Sequence, residues 1–267
     1  GGLFNMKLGF IGCGNMASAI IGGILKNNLV QPDDILASVK SEASAKRVRE
    51  TLGVSCSTDN LEVAKSADYV FLAVKPQFCA QVATEIKESL TPNQVLVSVI
   101  AGKNLSWLKE HLGEDKKIIR TMPNTPALVE EGITGVCPDA LVSQEELQQV
   151  LALLRCCGRA DVVTEPILDL VGAVSGSSPA FVFMFIEALA DSAVKYGIPR
   201  ADAYKLVAQT VLGSAKMVLE TQKHPGELKD MVCSPGGTTI EGVNTLEKEG
   251  MRSAVMDAVR ACIAKTK

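Results

Sequence analysis

The sequence predicts a doubly wound, mainly parallel α/β domain followed by a smaller all-α domain. Up to about residue 165, short apolar runs alternate with amphipathic helical stretches. The run 69–74 (YVFLAV) is apolar throughout, and 95–100 (VLVSVI) is apolar except for Ser98, which is typical of strands buried on both faces. Beyond residue 165 the apolar period is about 3.6 residues and no stretch resembles a strand. A sheet covered by helices on both faces, joined to a helical domain, satisfies all three observations.

The first predicted strand leads directly into a glycine loop. The apolar run 8–11 breaks at Gly12, and Gly12, Gly14 and Ala17 follow a G-x-G-x-x-A spacing before helix-compatible residues. The first glycine allows a tight turn, the second lets the backbone approach a pyrophosphate, and Ala17 lets helix and strand pack closely. Free N–H groups at the helix start then face the phosphates. This pattern predicts a Rossmann-like, dinucleotide-binding domain; a tight turn without a ligand is the alternative.

The other elements follow from apolar runs and from helix-boundary residues. Further strands are predicted at 34–39, 54–56, 69–74, 95–100, 117–121, 133–137 and 160–163, and helices at 42–52, 77–90 and 143–156. Asn60 and Asn104 are expected at the starts of two more helices, and Gly53 at the end of helix 42–52. Two prolines in Met122–Pro126 predict a stiff turn near the ligand edge of the sheet.

The residues after the second strand indicate which nicotinamide cofactor fits. An NAD site usually holds an acidic side chain there, which binds the ribose hydroxyls. This chain has Ser38, Val39, Lys40 and Ser41 instead, so no carboxylate repels a 2′-phosphate and a lysine can bind one. We therefore expect NADPH, with NADH possible; a solvated turn lysine is the alternative interpretation.

Composition narrows the classes of partner. The chain has 267 residues, 47% of them hydrophobic, and a formal net charge of -3, which offers no basic footprint for nucleic acid. Its eight cysteines show no C-x-x-C spacing and only two histidines are present, so we expect reduced core cysteines and no metal site. No run of 18 apolar residues occurs and no secretory leader precedes the first strand, so we expect a cytoplasmic protein without a membrane segment. Residues 1–5 are expected to be foreign to a natural chain that starts at Met6.

From these patterns we predict a dinucleotide-binding domain at 6–165 and a helical substrate and dimerisation domain at 166–267. Apolar residues such as Phe181, Phe185 and Leu189 share helix faces that a small domain buries best against a second subunit. Two polar segments, 175–179 and 234–239, precede predicted helices. Such a helix start can bind a small carboxylate, although an ordinary capped helix is the alternative.

The motifs FIGCGNMA, FLAVKP, MPNTP, SGSSPAF, HPGELKD and SPGGTT occur in this order from Met6 to the C-terminus. In this the chain closely resembles the Δ1-pyrroline-5-carboxylate reductases, which complete proline biosynthesis. The resemblance implies NAD(P)H-dependent reduction of a cyclic imine, with hydride delivered to the carbon of its C=N bond. It also implies a homodimer through the C-terminal helices, often within a decamer of five dimers.

The resemblance also assigns roles to residues. The cofactor-binding residues that it implies are Gly12, Cys13, Gly14, Asn15, Met16, Ser38, Lys40, Asn60, Ala73, Val74, Lys75, Pro76, Ala101 and Gly102. It implies that the amides of Gly237, Thr238 and Thr239 hold the substrate carboxylate, that the Thr239 hydroxyl is the catalytic group near the ring nitrogen, and that Glu165 borders the pocket. The chain has Ser178, Phe181 and Met231 where the family often has glycine, tyrosine and asparagine.

Two other functions compete with this assignment. A 3-hydroxyacid dehydrogenase shares the two-domain plan, but its expected catalytic lysine is missing between Pro179 and Ser192, and Lys195 comes too late. A non-catalytic NADP(H)-binding regulator would use the helical domain as an interaction surface. Turnover distinguishes the regulator, which would bind NADPH without consuming it.

Overall fold

A computed structural model of the protein describes residues 2–266. The chain divides into two compact units, and the division falls between Gly176 and Ser177. The first unit contains the sheet, and the second is helical. The predicted α/β fold with a C-terminal helical domain is confirmed.

The first unit is built on an eight-stranded sheet. Its strands are β1 (Leu8–Ile11), β2 (Ile35–Ser38), β3 (Ser55–Ser57), β4 (Tyr69–Leu72), β5 (Val95–Ser98), β6 (Lys117–Met122), β7 (Gly132–Pro138) and β8 (Gly158–Val162). The strand order is β3-β2-β1-β4-β5-β6-β7-β8. Neighbouring strands are parallel except β6 and β7, which are antiparallel. The chain order reverses at β1, so the carboxyl ends of β1 and β4 form the switch point at which such sheets bind ligands.

Helices cover both faces of this sheet. They are α1 (Asn15–Lys26), α2 (Glu42–Leu52), α3 (Asn60–Ser66), α4 (Cys79–Ile86), α5 (Leu105–Leu112), α6 (Gln144–Leu154) and α7 (Glu165–Val171). Phe10 stacks on Phe71 of the neighbouring strand at 4.5 Å between ring centroids, in a core cluster shared with α1, α2 and α6. Ile11 points to the other face, where α3, α4 and α5 complete a second cluster. Burial on both faces explains why a central strand such as β4 is apolar throughout.

Local signals set several boundaries. Helix α2 begins after Ser41, whose hydroxyl accepts the Ser44 N–H, and ends at Gly53 with a φ of 71°. Asn104 begins α5, because its Oδ1 accepts the Trp107 N–H at 2.7 Å. Residues near the start also take part in the fold: the N–H groups of Leu3 and Phe4 donate to the carbonyls of Asn28 and Leu29. Leu3 and Phe4 therefore belong to the first unit, ahead of its predicted first residue, Met6.

The second unit contains five helices among its described residues. They are α8 (Ser178–Lys195), α9 (Arg200–Thr221), α10 (Pro225–Val232), α11 (Thr238–Lys248) and α12 (Met251–Lys265). Within residues 177–266, only Ala190 and Ala203 are fully buried. Large apolar side chains stay exposed, including Phe183 at 57% and Leu212 at 56%. A monomer of this unit thus has very little core of its own, as expected for a unit that packs against a partner.

The helical stretch Glu165–Lys195 is long and apolar enough to cross a membrane by length and composition alone, and an 18-residue window within it has a mean hydropathy of 1.5. The glycines and serines in this stretch do not end the helix. The chain passes from α7 to α8 through a π-helical turn at Gly172–Gly176. Exposed apolar faces on such a helix also suit subunit packing.

Candidate cofactor and substrate site

The glycine loop lies against the backbone of two neighbouring strands. The Gly12 N–H donates to the carbonyl of Ser38 at 2.9 Å, and the Ala73 N–H donates to the carbonyl of Ile11 at 2.8 Å. Gly12 has a φ of +90°, and a Cβ there would lie 2.7 Å from the Ala73 carbonyl oxygen. Only glycine fits this position, both because of its dihedral angle and because of the close backbone.

Gly14, unlike Gly12, has open space around it. It precedes α1 with an ordinary φ of -82°, and no side chain caps that helix. A Cβ built on Gly14 meets nothing within 4 Å, so its missing side chain leaves room on the outside of the loop. The first turn of α1 contains no acidic residue. Free N–H groups, a positive helix end and open space fit the pyrophosphate of a dinucleotide.

Cys13 and Met16 pack partly against the core, whereas Gly14 and Asn15 are exposed. Burial raises the pKa of the Cys13 thiol above its ordinary value, although a hydrogen bond with Ser18 opposes the shift. A neutral thiol adds no negative charge beside the place for the phosphates. The loop therefore presents its backbone, and not an ionised side chain, to an anion.

The predicted adenosine-side residues contact one another. The Ser38 hydroxyl is fully buried and donates to Asn60 Oδ1 at 2.7 Å, and Asn60 Nδ2 donates to Glu85 Oε2 at 3.1 Å. The exposed Lys40 places its ammonium over the ring of Phe78. The buried Ser38 hydroxyl thus orients the Asn60 side chain through this hydrogen bond. Asn60 is more exposed to solvent than Ser38 is.

The predicted nicotinamide-side residues follow the strands next to β1. Ala73, Val74, Lys75 and Pro76 come directly after β4, and Ala101 and Gly102 follow β5. Because β1 pairs with β4 and β4 with β5, all in parallel, these segments meet the glycine loop at one edge of the sheet. Lys75, Pro76, Ala101 and Gly102 are exposed there. The topology therefore brings the predicted cofactor residues to a common edge.

Glu165 connects three elements. Its Oε2 accepts the Leu105 N–H at 2.8 Å and a guanidinium N–H of Arg120 at 3.1 Å. Arg120 also pairs with Asp169 at 2.8 Å, and the Arg120 side chain is only 4% exposed. The carboxylate thus fixes the start of α5, which directly follows the loop containing Ala101 and Gly102. Arg120 is not predictable from the sequence, because an arginine inside an apolar strand gives no signal of its distant partners.

Replacing Glu165 with alanine is expected to destabilise the first unit by about 1–3 kcal/mol, because it leaves the buried Arg120 guanidinium with one partner fewer. The thermal unfolding midpoint should fall relative to the wild type. The exposed Glu110 offers a matched control, since Glu110→Ala removes a carboxylate from α5 itself. Equal midpoints for the two variants would show that the Glu165 carboxylate does not hold these elements together.

In the MPNTP turn, both the nitrogen and the oxygen of the Asn124 side-chain amide form hydrogen bonds with backbone groups. Its Nδ2 donates to the Ser175 carbonyl at 3.0 Å, and its Oδ1 accepts the Ile133 N–H at 2.9 Å. Ser175 lies in the π-helical turn, so Asn124 ties the turn after β6 to the end of the first unit.

In the second unit, the SPGGTT segment forms a helix start without a side-chain cap. Gly236 has a φ of +72°, and the Gly237 N–H donates to the Ser234 carbonyl at 3.0 Å. Gly237 precedes α11, and no side chain of the described residues caps the helix. Thr238 and Thr239 are exposed. This terminus offers free N–H groups and two hydroxyls, the groups that a small carboxylate needs.

Known proteins resemble this chain over nearly its full length. The pyrroline-5-carboxylate reductase of Escherichia coli K12 is 52% identical over 260 residues, 97% of each chain. That of Arabidopsis thaliana is 43% identical over 98% of this chain and 95% of its own. A crystal structure of the Plasmodium falciparum enzyme with NADP bound has a TM-score of 0.89 at 35% identity, over 98% of this chain and 97% of that one.

The sheet, the glycine loop and the helical unit define a two-domain dinucleotide-dependent oxidoreductase. Residues 7–102 match the family described as NADP oxidoreductase coenzyme F420-dependent, and residues 165–267 match pyrroline-5-carboxylate reductase dimerisation. The chain belongs to the pyrroline-5-carboxylate reductase family. Its C-terminal part is accordingly an oligomerisation domain.

Proposed function

We infer that this protein reduces 1-pyrroline-5-carboxylate to L-proline with NADPH, the last step of proline biosynthesis. The observation that carries this conclusion is 52% identity to a pyrroline-5-carboxylate reductase over 97% of both chains. The glycine loop, with its open Gly14 and uncapped helix, fits the cofactor independently. The free helix start at Gly237 suits a substrate that is a small carboxylic acid.

NADPH supplies the hydride for the C=N carbon. The protein's residues then have two tasks, which are to hold the cofactor at the edge of the sheet and to orient the imine. We propose that the fourteen residues named from the resemblance bind the cofactor, in three groups. The glycine loop binds the pyrophosphate, Ser38, Lys40 and Asn60 bind the adenosine side, and residues 73–76 with 101–102 border the nicotinamide.

We assign the substrate carboxylate to the amides of Gly237, Thr238 and Thr239, where the positive end of α11 offsets its charge. The Thr239 hydroxyl then lies near the ring nitrogen and orients the imine, and Glu165 borders the pocket. The imine is already substantially protonated in solution, so the reaction needs little acid catalysis. Positioning alone can remove much of the barrier to such a reaction.

We propose that the oligomer is a homodimer through the C-terminal helices, in a decamer of five dimers, and that it is cytoplasmic. The dimer is supported by the scarcity of buried residues in the second unit, together with its match to a dimerisation family. In the dimer, partner helices cover the apolar side chains of α8 and α9. The apolar stretch Glu165–Lys195 is then an interface helix.

The interface assignment predicts that Phe183→Glu disrupts the C-terminal dimer, so that the mass in solution falls below that of the wild-type oligomer. Phe183 is 57% exposed in the isolated chain, and a carboxylate buried in an apolar interface is strongly unfavourable. Light scattering after size exclusion measures the mass. Lys195→Glu introduces a glutamate on α8 at a position that is already charged, and should keep the wild-type mass. A Phe183→Glu variant with the wild-type mass would remove this face from the interface.

The function is tested by mixing the protein with NADPH and racemic 1-pyrroline-5-carboxylate and following the nicotinamide absorbance. A reductase consumes NADPH and forms proline in equal amounts. A regulator would bind NADPH, shown by calorimetry, without consuming it. Binding without consumption at any substrate concentration would therefore refute the enzymatic assignment.

A further inference from the structure

A cavity of about 470 Å³ lies beside the glycine loop, between the start of α1 and one side of α2. On the α1 side it is lined by residues 13–15 and Ser18, and on the α2 side by Arg47, Val48, Thr51 and Leu52. Arg47 is the only cationic side chain among the described residues that line it. The cavity thus joins the place proposed for the pyrophosphate to an arginine that the sequence motifs did not identify.

The guanidinium of Arg47 is held at the start of α2 by a short series of hydroxyls. Arg47 donates to Ser44 Oγ at 3.0 Å, and the Ser41 and Ser44 hydroxyls lie 3.0 Å apart. Ser41 is also the residue that caps α2. These contacts draw the arginine toward the end of β2, where the ribose of a bound dinucleotide lies in folds of this class. Most of the five guanidinium N–H donors stay available for a ligand.

The charged residues around the start of α2 leave a net positive charge beside Arg47. Glu42, the acidic residue in the first turn of α2, pairs with Arg49, so its charge is largely offset. Lys40, a second cation near the end of β2 that has no carboxylate partner among the described residues, places its ammonium over the ring of Phe78. Arg47 is therefore the cation directed along the cavity wall, while Lys40 interacts with an aromatic ring.

We propose that Arg47, positioned by Ser44, binds the 2′-phosphate of NADPH and gives the protein its preference for NADPH over NADH. This inference rests on the proposed NADPH-dependent function and names the residue that selects the cofactor. A planar guanidinium matches a phosphate with two parallel hydrogen bonds, which the ribose hydroxyls of NADH cannot replace. Ser44 fixes the guanidinium, so less side-chain freedom is lost on binding.

The test measures binding of two nucleotide fragments by calorimetry, without turnover. Arg47→Gln should weaken 2′,5′-ADP binding by about 10- to 100-fold, the range for a lost charge-assisted hydrogen bond, and leave 5′-ADP binding unchanged. Lys46→Gln is the matched control, because it removes a positive charge from the adjacent, exposed position of α2. Arg47→Lys keeps the positive charge but loses the planar guanidinium that forms two parallel hydrogen bonds. Its affinity for 2′,5′-ADP should therefore fall between those of the wild type and Arg47→Gln.

The binding measurements on the two fragments support or overturn the role of Arg47 as follows. Loss of 2′,5′-ADP binding in Arg47→Gln alone supports it. Equal weakening of both fragments would place Arg47 on the shared 5′-phosphate or adenosine and overturn the proposal, as would equal effects of Arg47→Gln and Lys46→Gln. Unchanged 2′,5′-ADP binding in Arg47→Gln would also overturn it. If the wild type binds 2′,5′-ADP but does not form proline, the proposed function fails while the role of Arg47 is still decided.

Discussion

Replacing Gly14 with alanine is expected to weaken NADPH binding by about 100-fold or more while leaving the fold intact. The new Cβ meets no protein atom within 4 Å and the backbone φ of -82° suits alanine. It would, however, occupy the side of the loop from which the pyrophosphate approaches, and each hydrogen bond that the charged diphosphate loses is worth about 1.5–3 kcal/mol. Calorimetry with NADPH gives the affinity, and thermal unfolding without ligand gives the stability.

Two other glycine variants are the controls for this prediction. Gly12→Ala should lower the unfolding midpoint even without NADPH, because its Cβ would meet the Ala73 carbonyl at 2.7 Å in a left-handed backbone conformation. Gly22→Ala lies inside α1 in open space and should preserve both binding and stability. If Gly14→Ala bound NADPH as tightly as Gly22→Ala does, the glycine loop would not be the pyrophosphate site.

Thr239→Ala is expected to lower kcat/KM for the imine by about 10- to 1000-fold, the range for losing one positioned hydrogen bond in a dry site. The variant keeps its backbone amide, so the carboxylate contact survives and the loss falls mainly on kcat. Thr239 is exposed and its hydroxyl caps no helix, so the fold should not change. Steady-state kinetics with saturating NADPH measures the effect.

Thr245 provides the control on the same helix. Its hydroxyl donates back to the Glu241 carbonyl at 3.0 Å, away from the helix start, so Thr245→Ala should retain wild-type kinetics. Thr239→Ala with the kinetics of Thr245→Ala would exclude the Thr239 hydroxyl from the reaction.

Local signals predicted much of the first unit. Helix α2 has the bounds that its charged amphipathic pattern and Gly53 predict, and the structure adds the Ser41 cap at its start. The glycine loop was equally predictable, since Gly12 and Gly14 each meet a requirement of the adjoining strand and helix. Strand β7 shows the limit: its residues were identified, but its antiparallel direction against β6 depends on where the chain turns.

Long-range contacts account for what the sequence did not reveal. Arg120 becomes notable only when Glu165 and Asp169 lie beside it, 45 or more positions away. Arg47 likewise is one of several charged residues on α2 until its cavity is seen. In the second unit the apolar periodicity predicted helices correctly, whereas the faces that a partner covers depend on the oligomer.

We propose, above all, that a hydride passes from NADPH to the carbon of the C=N bond of the cyclic imine. The most direct measurement is a single turnover with NADPH that carries deuterium at the transferable position, followed by mass spectrometry and NMR of the product. The account predicts L-proline with one deuterium, on the ring carbon next to nitrogen that does not bear the carboxylate. Proline without deuterium, or deuterium at another carbon, would contradict it.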